Sequence, residues 1–324
     1  MRQDNTLLGI LCVMTGIATA SLMDATIKSL SGGYPLHEIV MARSVVALFL
    51  TLFIVHLEGG LSMLATKRPL VHLTRGLLVV VANMTFYMAI SFMPLAEATA
   101  LFFVSPLIIT ALSVPFLGEK VGWRRWLGIV AGFVGVITMI RPGVASISIY
   151  SFLPVIAATA YASTQIITRK LGTTEKASVM SFYISLTFIV VAGCFWWFVG
   201  DGSLSGRYDQ KVEFLFRPWK IPDSGDAMLL VFVGFLIAIV GYMLSQAYRI
   251  ANASIVAPFE YVSLPLALLW GYLFWGEIPD SQAAIGMALI VGSGLYIFLR
   301  EKRTSGIIDQ SYGIGPEKNA NRVN

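Results

Sequence analysis

One pattern occurs twice in the chain, at residues 95–119 as LAEATALFFVSPLIITALSVPFLGE and at residues 250–277 as IANASIVAPFEYVSLPLALLWGYLFWGE. Both forms open with small residues, contain interior prolines and close an apolar run with Gly-Glu. The closing Gly-Glu pairs, at Glu119 and Glu277, lie half a chain length apart, and three extra residues lie within the second form. The pattern predicts a protein of two related halves.

The composition is that of a membrane protein. Of 324 residues, 56% are hydrophobic and 13% are charged, whereas a soluble domain has about 25% charged residues. The basic residues behind the net charge of +5 lie between apolar runs, so nucleic acid is not expected as a partner. We predict an all-α integral membrane protein whose partners are the lipid bilayer and a small-molecule substrate.

Apolar runs bounded by charged residues, Gly and Pro predict ten transmembrane helices. They lie near 7–30, 37–56, 76–92, 95–117, 126–140, 149–168, 179–199, 227–247, 255–275 and 283–299. Five spans is an odd number, so the second half must enter the membrane in the opposite sense to the first, which gives two inverted five-helix repeats. The repeats are predicted at 7–141 and 147–303, and 304–324 as a disordered cytoplasmic tail.

The basic residues predict the orientation of the chain. With the N-terminus inside, most of them fall in cytoplasmic segments, among them Lys67, Arg68, Arg75, Arg169 and Lys170. The positive-inside rule then places both termini in the cytoplasm of a multi-pass protein of the bacterial inner membrane.

The chain resembles the drug/metabolite transporter superfamily, specifically its EamA-like members with two five-helix repeats. The resemblance covers roughly 7–303 and uses Lys28, Arg43, the 96–99 motif AEAT, Pro106 and both Gly-Glu pairs. It implies a secondary transporter that works by alternating access.

Two shorter motifs, RPLVHLTRGLL at 68–78 and GEIPD at 276–280, are similar to proteobacterial uptake carriers for riboflavin and for S-adenosylmethionine. The larger loop after the seventh span favours riboflavin as the first candidate substrate. S-adenosylmethionine, an amino acid or another metabolite is the alternative.

Charged residues within the first two spans are the first candidates for a substrate pathway. Asp24 and Lys28 are one helical turn apart, so they share a face. Asp24 either lines the cavity or forms a structural pair with Lys28, and Arg43 is the third member of this cluster.

The ninth span holds Glu260 between Pro258 and Tyr261, with no cationic neighbour in sequence. A carboxylate at membrane depth usually faces a cavity, so we expect Glu260 to do so. Pro258 interrupts this span as Pro106 interrupts the fourth, and interrupted helices at matching places in two halves indicate a binding site. The alternative for both prolines is a kink used only for packing.

Aromatic and amide side chains are paired one turn apart in three spans: Asn83 with Tyr87, Tyr161 with Gln165, and Tyr242 with Gln246. Each pair could hold a planar ring, or its amide could serve helix-to-helix hydrogen bonding. The expected cavity lies between spans one, three, four, six, eight and nine. Its predicted aromatic lining is Tyr87, Phe103, Tyr161, Tyr242 and Tyr261.

An enzyme is not expected, because no catalytic motif, metal-ligand spacing or nucleotide-binding loop occurs in the sequence. No cofactor or metal is predicted. A structural or assembly protein is the alternative of another class, but it leaves the repeat and the paired prolines unexplained. The sequence is also compatible with a homodimer.

Overall fold

The computed structural model describes residues 6–118, 122–140, 149–171, 175–202, 213–251, 256–293 and 295–296. Every regular element in these ranges is helical. In chain order the α-helices are α1 (Thr6–Leu30), α2 (Leu36–Glu58), α3 (Pro69–Phe92), α4 (Leu95–Phe102), α5 (Ser105–Leu117), α6 (Trp123–Ile140), α7 (Leu153–Leu171), α8 (Ala177–Val199), α9 (Glu213–Phe216), α10 (Ser224–Ile250), α11 (Ser263–Trp275) and α12 (Ser281–Ser293).

Within the described residues, six helical segments are long and apolar enough to cross a membrane. They are Leu7–Leu30, Leu36–Glu58, Pro69–Phe92, Leu95–Leu117, Ala177–Val199 and Ser224–Ile250. Trp126–Ile140 and Ser281–Ser293 are shorter apolar helices. Large apolar side chains such as Phe49, Phe53 and Trp197 are exposed on the outside of the protein, as lipid-facing residues are. An all-helical membrane protein is therefore confirmed.

Both segments of the repeated pattern are interrupted. The first separates into α4 and α5 at Phe103 and Val104, where the N–H of Val104 bonds the carbonyl of Leu101 in a tighter turn. Pro106 follows directly; it has no N–H and its ring opposes a regular α-helical turn before it. In the second segment a 3-10 helix, Ala257–Val262, precedes α11.

Glycines end the two matching helices in the same way. Gly118 follows α5 with φ of 71°, and Gly276 follows α11 with φ of 65°. Their N–H groups return to carbonyls of the last turn, the carbonyls of Val114 and Tyr272 among them. A side chain at either position would be strained in this left-handed conformation, which explains glycine there.

The helices pack in pairs around a central space. Helix α1 packs on α10, α2 on α8, and α3 on α7. Helices α4 and α5 contact α7, while α11 and the 3-10 helix before it contact α1. The largest apolar core lies among α1, α2, α3, α8 and α10.

One predicted segment border needs correction. Helix α3 begins at Pro69, two turns before the predicted span at 76–92, so Arg75 lies within it and is buried. The border was misplaced because a charged residue was assumed to end the apolar span. Glu119 and the predicted tail at 304–324 lie outside the described residues.

Candidate functional site

A cavity opens between the helices, with an empty volume of about 1220 Å³ that includes its opening to solvent. Its walls are mostly apolar and include a few polar side chains, as is usual for small-molecule sites. The lining comes from α1, α2, α3, α4, α7, α8, α10 and the first residue of α11. The six predicted spans all contribute, and α2 and α8 contribute in addition.

One end of the cavity contains a chain of polar contacts that begins at Arg43. Its Nη1 donates to the Tyr87 hydroxyl at 3.1 Å, and its Nη2 donates to Asn83 Oδ1 at 3.0 Å. The Tyr87 hydroxyl in turn donates to Asp24 Oδ1 at 3.1 Å. Asp24, Asn83 and Tyr87 line the cavity, while Arg43 is fully buried behind them. Tyr87 therefore connects the Arg43 guanidinium to the Asp24 carboxyl group at the cavity surface.

The suggested pair between Asp24 and Lys28 is absent. Lys28 instead forms an ion pair with Glu277 at 2.5 Å, and its ammonium lies 4.7 Å from the centre of the Trp275 ring. One turn of helix puts Asp24 and Lys28 on the same face, but Lys28 reaches the end of α11. Asp24 is consequently the lining residue of the two.

Glu260 lies in the 3-10 helix before α11 and is only 1% exposed. One of its carboxylate oxygens, Oε1, accepts hydrogen bonds from the hydroxyls of Tyr161, at 2.8 Å, and Tyr248. Glu260 itself is not part of the lining, but Tyr161 is. The Glu260 carboxylate is therefore connected to the cavity surface by its hydrogen bond with Tyr161.

The aromatic lining consists of Phe86, Tyr87, Phe102, Tyr161 and Phe188. The Phe102 ring lies 5.3 Å from both Phe86 and Tyr161, centre to centre, so these rings form one continuous surface. Gln165 lies beside them, as predicted from its spacing to Tyr161. Such a surface suits a planar ring.

Several predicted lining residues lie elsewhere. Phe103 and Tyr261 pack edge to face in a separate apolar core, where Phe103 is 1% exposed. The Tyr242 hydroxyl donates to Glu58 Oε1 at 3.0 Å, near the end of α2, and Gln246 accepts from Arg249.

The two interior prolines lie at the interruptions of their helical segments. Pro106 is buried in the first turn of α5, and Pro258 belongs to the 3-10 helix Ala257–Val262. Pro106 is not a lining residue. Their interruptions precede α5 and α11, next to lining residues Phe102 and Ser263.

Sequence reasoning missed polar lining residues. Arg75 was assigned to a loop, yet it lines the cavity from within α3. The serines Ser21, Ser44 and Ser181 also line it, and their hydroxyls have no partner among the described residues. A single serine in an apolar span gives no signal in the sequence, but Arg75 inside the continuous apolar pattern of 70–92 could have been found.

Comparisons with known proteins agree with this architecture. The profile of the EamA-like transporter family matches residues 7–141. A riboflavin transporter of Rhizobium johnstonii is 30% identical over 244 residues, 75% of each chain. An S-adenosylmethionine uptake transporter of Rickettsia prowazekii is 26% identical over 91% of this chain and 94% of that protein.

A solved structure shares the fold. It has a TM-score of 0.64 and 18% identity over 94% of this chain and 99% of that one. The family match, the named relatives and the apolar helices identify a membrane transporter for a small molecule, which is the coarse prediction from the sequence. The chain belongs to the EamA-like transporter family, as its resemblance to the drug/metabolite transporter superfamily implied.

Proposed function

We propose that the protein is a secondary carrier that takes up a ring-containing metabolite across the bacterial inner membrane by alternating access. The observation that supports this most directly is the central cavity, which polar side chains from both halves of the chain line together. A carrier needs its site at the interface of two units that move against each other.

The proposed architecture has ten spans in two inverted repeats, 7–141 and 147–303. Helix packing supports it. In the two proposed repeats α1 corresponds to α7, and α3 corresponds to α10. The contact of α1 with α10 therefore corresponds to the contact of α7 with α3. In the same way, the contact of α11 with α1 corresponds to that of α5 with α7. The matched left-handed glycines Gly118 and Gly276 agree with this correspondence.

The cavity chemistry bears on the two candidate substrates. The aromatic surface suits the flat ring of riboflavin, which the larger loop after the seventh span favoured, and Asn83 and Gln165 could bind ring carbonyls. However, riboflavin is neutral, and two lining residues, Asp24 and Arg75, have ionisable side chains. S-adenosylmethionine combines an aromatic base with cationic and anionic groups, so the lining favours it over riboflavin.

The energy source of this transport is an ion or substrate gradient, because the sequence has no nucleotide-binding loop. Asp24 and Glu260 are the carboxylates that could take up and release a proton. Both contact a lining tyrosine, Tyr87 and Tyr161 respectively.

Uptake by proteoliposomes tests the function. Purified protein is reconstituted and offered radiolabelled S-adenosylmethionine or riboflavin, each with and without excess of the other compound unlabelled. We expect saturable uptake of S-adenosylmethionine that Asp24→Asn reduces about tenfold through lost charge recognition. Uptake of riboflavin that Asp24→Asn leaves intact would reverse the order of the candidates.

Neutral replacements of ring contacts provide the matched comparison. Tyr161→Phe keeps the ring and should retain most recognition, whereas Tyr161→Ala should weaken uptake of either candidate. Absence of uptake of both compounds, with protein present in the membrane, would reject both substrates.

A further inference from the structure

Arg75 is a buried cation on the cavity surface whose bonds all go to neutral oxygens. Its Nε donates to Thr168 Oγ1 at 2.7 Å, its Nη1 to the carbonyl of Met180 at 2.9 Å, and its Nη2 to Ser245 Oγ at 3.1 Å. The side chain is 3% exposed. In the described part of the chain, no carboxylate forms an ion pair with it.

A buried guanidinium without a counterion is costly to keep. The guanidinium has five N–H donors, and three of them are used by the protein. Arg43 differs in this respect, because it is buried behind the lining and its partner Tyr87 bonds the Asp24 carboxyl group. Arg75 therefore keeps both charge and donors at the surface of the cavity.

A side chain without a hydrogen-bond partner lines the same cavity as Arg75. Ser181 lines the cavity and is 3% exposed, and its hydroxyl has no hydrogen-bond partner among the described residues. It directly follows Met180, whose carbonyl Arg75 binds. Nearly all buried hydroxyls in folded proteins have a partner, and the Ser181 hydroxyl at the cavity wall is free to bind one that a ligand supplies.

The geometry points to a binding site for an oxyanion: we propose that Arg75 and Ser181 bind a carboxylate or phosphate group of the transported metabolite. Arginine matches these planar or tetrahedral oxyanions through its fork of donors, and a serine hydroxyl adds one more donor. The inference rests on the proposed carrier function and deepens it, because it defines the substrate class as metabolites with an anionic group.

The position of this group along the cavity defines the substrate further. Arg75 and Tyr87 are twelve residues apart on α3, a distance of about 18 Å along the helix axis. Tyr87 binds Asp24, so the cavity has a cation towards one end and a carboxylate towards the other. An elongated metabolite with an anionic group at one end and a cationic group further along fits this arrangement.

Pairs of compounds that differ only in the anionic group test the proposal. The first pair is S-adenosylmethionine and its decarboxylated analogue, and the second is riboflavin and riboflavin 5′-phosphate. Dissociation constants are measured by calorimetry on the full-length protein in detergent. We expect the anionic member of at least one pair to bind about tenfold or more tightly than its partner, since hydrogen bonds to charged groups have effects of this size. The responsive pair identifies carboxylate or phosphate.

Substitution then separates recognition from folding. Arg75→Gln should bring the ratio of the two dissociation constants in the responsive pair close to one. Arg75→Lys should restore part of this ratio, because lysine returns the positive charge without the fork of guanidinium donors. Ser181→Ala should lower the ratio severalfold. Ser105→Ala, the matched control at a buried and equally unpartnered hydroxyl outside the lining, should leave this ratio unchanged.

Three outcomes would overturn the proposal. They are a wild-type ratio near one in both pairs, no binding of any of the four compounds by folded protein, and an unchanged ratio in Arg75→Gln. If Arg75→Gln does not fold, Arg75→Lys takes its place. An Arg75→Lys protein with the full wild-type ratio of dissociation constants would contradict binding of the oxyanion by the guanidinium donors. Uptake measured in parallel keeps the two conclusions apart: an Arg75-dependent ratio without any uptake contradicts only the carrier function.

Discussion

Lys28, in the last turn of α1, donates a 2.5 Å hydrogen bond to Glu277, the residue after the glycine that ends α11. The other carboxylate oxygen of Glu277 accepts the backbone N–H of Leu95 at 3.0 Å. That N–H belongs to the first turn of α4, where helical N–H groups have no partner within the helix. One carboxylate therefore joins the ends of three helices from both halves of the chain.

Replacing Lys28 by Met should lower stability. The substitution leaves Glu277 as a largely buried carboxylate without its counterion, which should cost about 2 kcal/mol of unfolding free energy. The measurement is the midpoint of thermal unfolding in detergent, which should fall by several degrees.

The exchanged double variant, Lys28→Glu with Glu277→Lys, is the control for this prediction. It should recover only part of the loss, because a lysine at 277 has no acceptor for the N–H of Leu95. Lys176→Met, at an exposed lysine that bonds a backbone carbonyl, should change the midpoint less. A Lys28→Met protein as stable as wild type would contradict the role assigned to the pair.

Neighbouring phenylalanines at the interruption of the fourth span should respond differently to substitution. Phe102 lines the cavity, whereas Phe103 is buried against Tyr261. Phe103→Ala should cost about 3–5 kcal/mol because it leaves a hole in a packed core. Phe102→Ala should instead raise the KM for uptake severalfold through a lost stacking contact.

Uptake kinetics and thermal unfolding, measured on the same preparations, distinguish the two effects. Phe102→Leu, which keeps apolar volume but removes the ring, should still raise KM. If Phe103→Ala changes KM while its unfolding midpoint stays at the wild-type value, the assignment of the two rings is wrong.

The sequence predicted the parts of the site that depend on local spacing. Asn83 and Tyr87 are one turn apart and both contact Arg43, and Pro106 follows the interruption between α4 and α5. Tyr242 and Gln246 have the same one-turn spacing, but they lie near Glu58 and Arg249 and away from the cavity. Periodicity identifies the face of a helix; which neighbour covers that face is decided by tertiary packing.

The wrong predictions for Phe103 and Arg75 have identifiable physical causes. Phe103 was expected in the lining, but one residue along a helix rotates a side chain by about 100°, so Phe102 and Phe103 point to different neighbours. Arg75 was treated as a marker of the membrane border, because charged residues are costly in apolar spans. Its three bonds reach α7, α8 and α10, which no local pattern in α3 indicates.

Reporter fusions test the proposed inverted topology. An alkaline phosphatase fusion should be inactive after residue 303, and active when inserted within 200–226, because only the latter segment is expected on the periplasmic side. A green fluorescent protein fusion at the same two positions should give the opposite pattern. Equal activity of one reporter at both positions would contradict the ten-span inverted arrangement.

Glu260→Gln should reduce uptake far more than it reduces the amount of protein in the membrane. Glutamine keeps a carbonyl oxygen that can accept from Tyr161 and Tyr248, so the local packing should persist while the ionisable group is lost. If the carboxylate exchanges protons with the cavity, net uptake should fall about tenfold or more, while exchange of external labelled for internal unlabelled substrate continues. Net uptake, exchange and immunoblot quantity are measured on the same vesicles.

Tyr248→Phe is the matched control, because it removes one hydrogen bond and keeps the carboxylate; its net uptake should fall less than that of Glu260→Gln. Parallel loss of uptake, exchange and protein amount in Glu260→Gln would instead make Glu260 a structural residue that orients the two tyrosines.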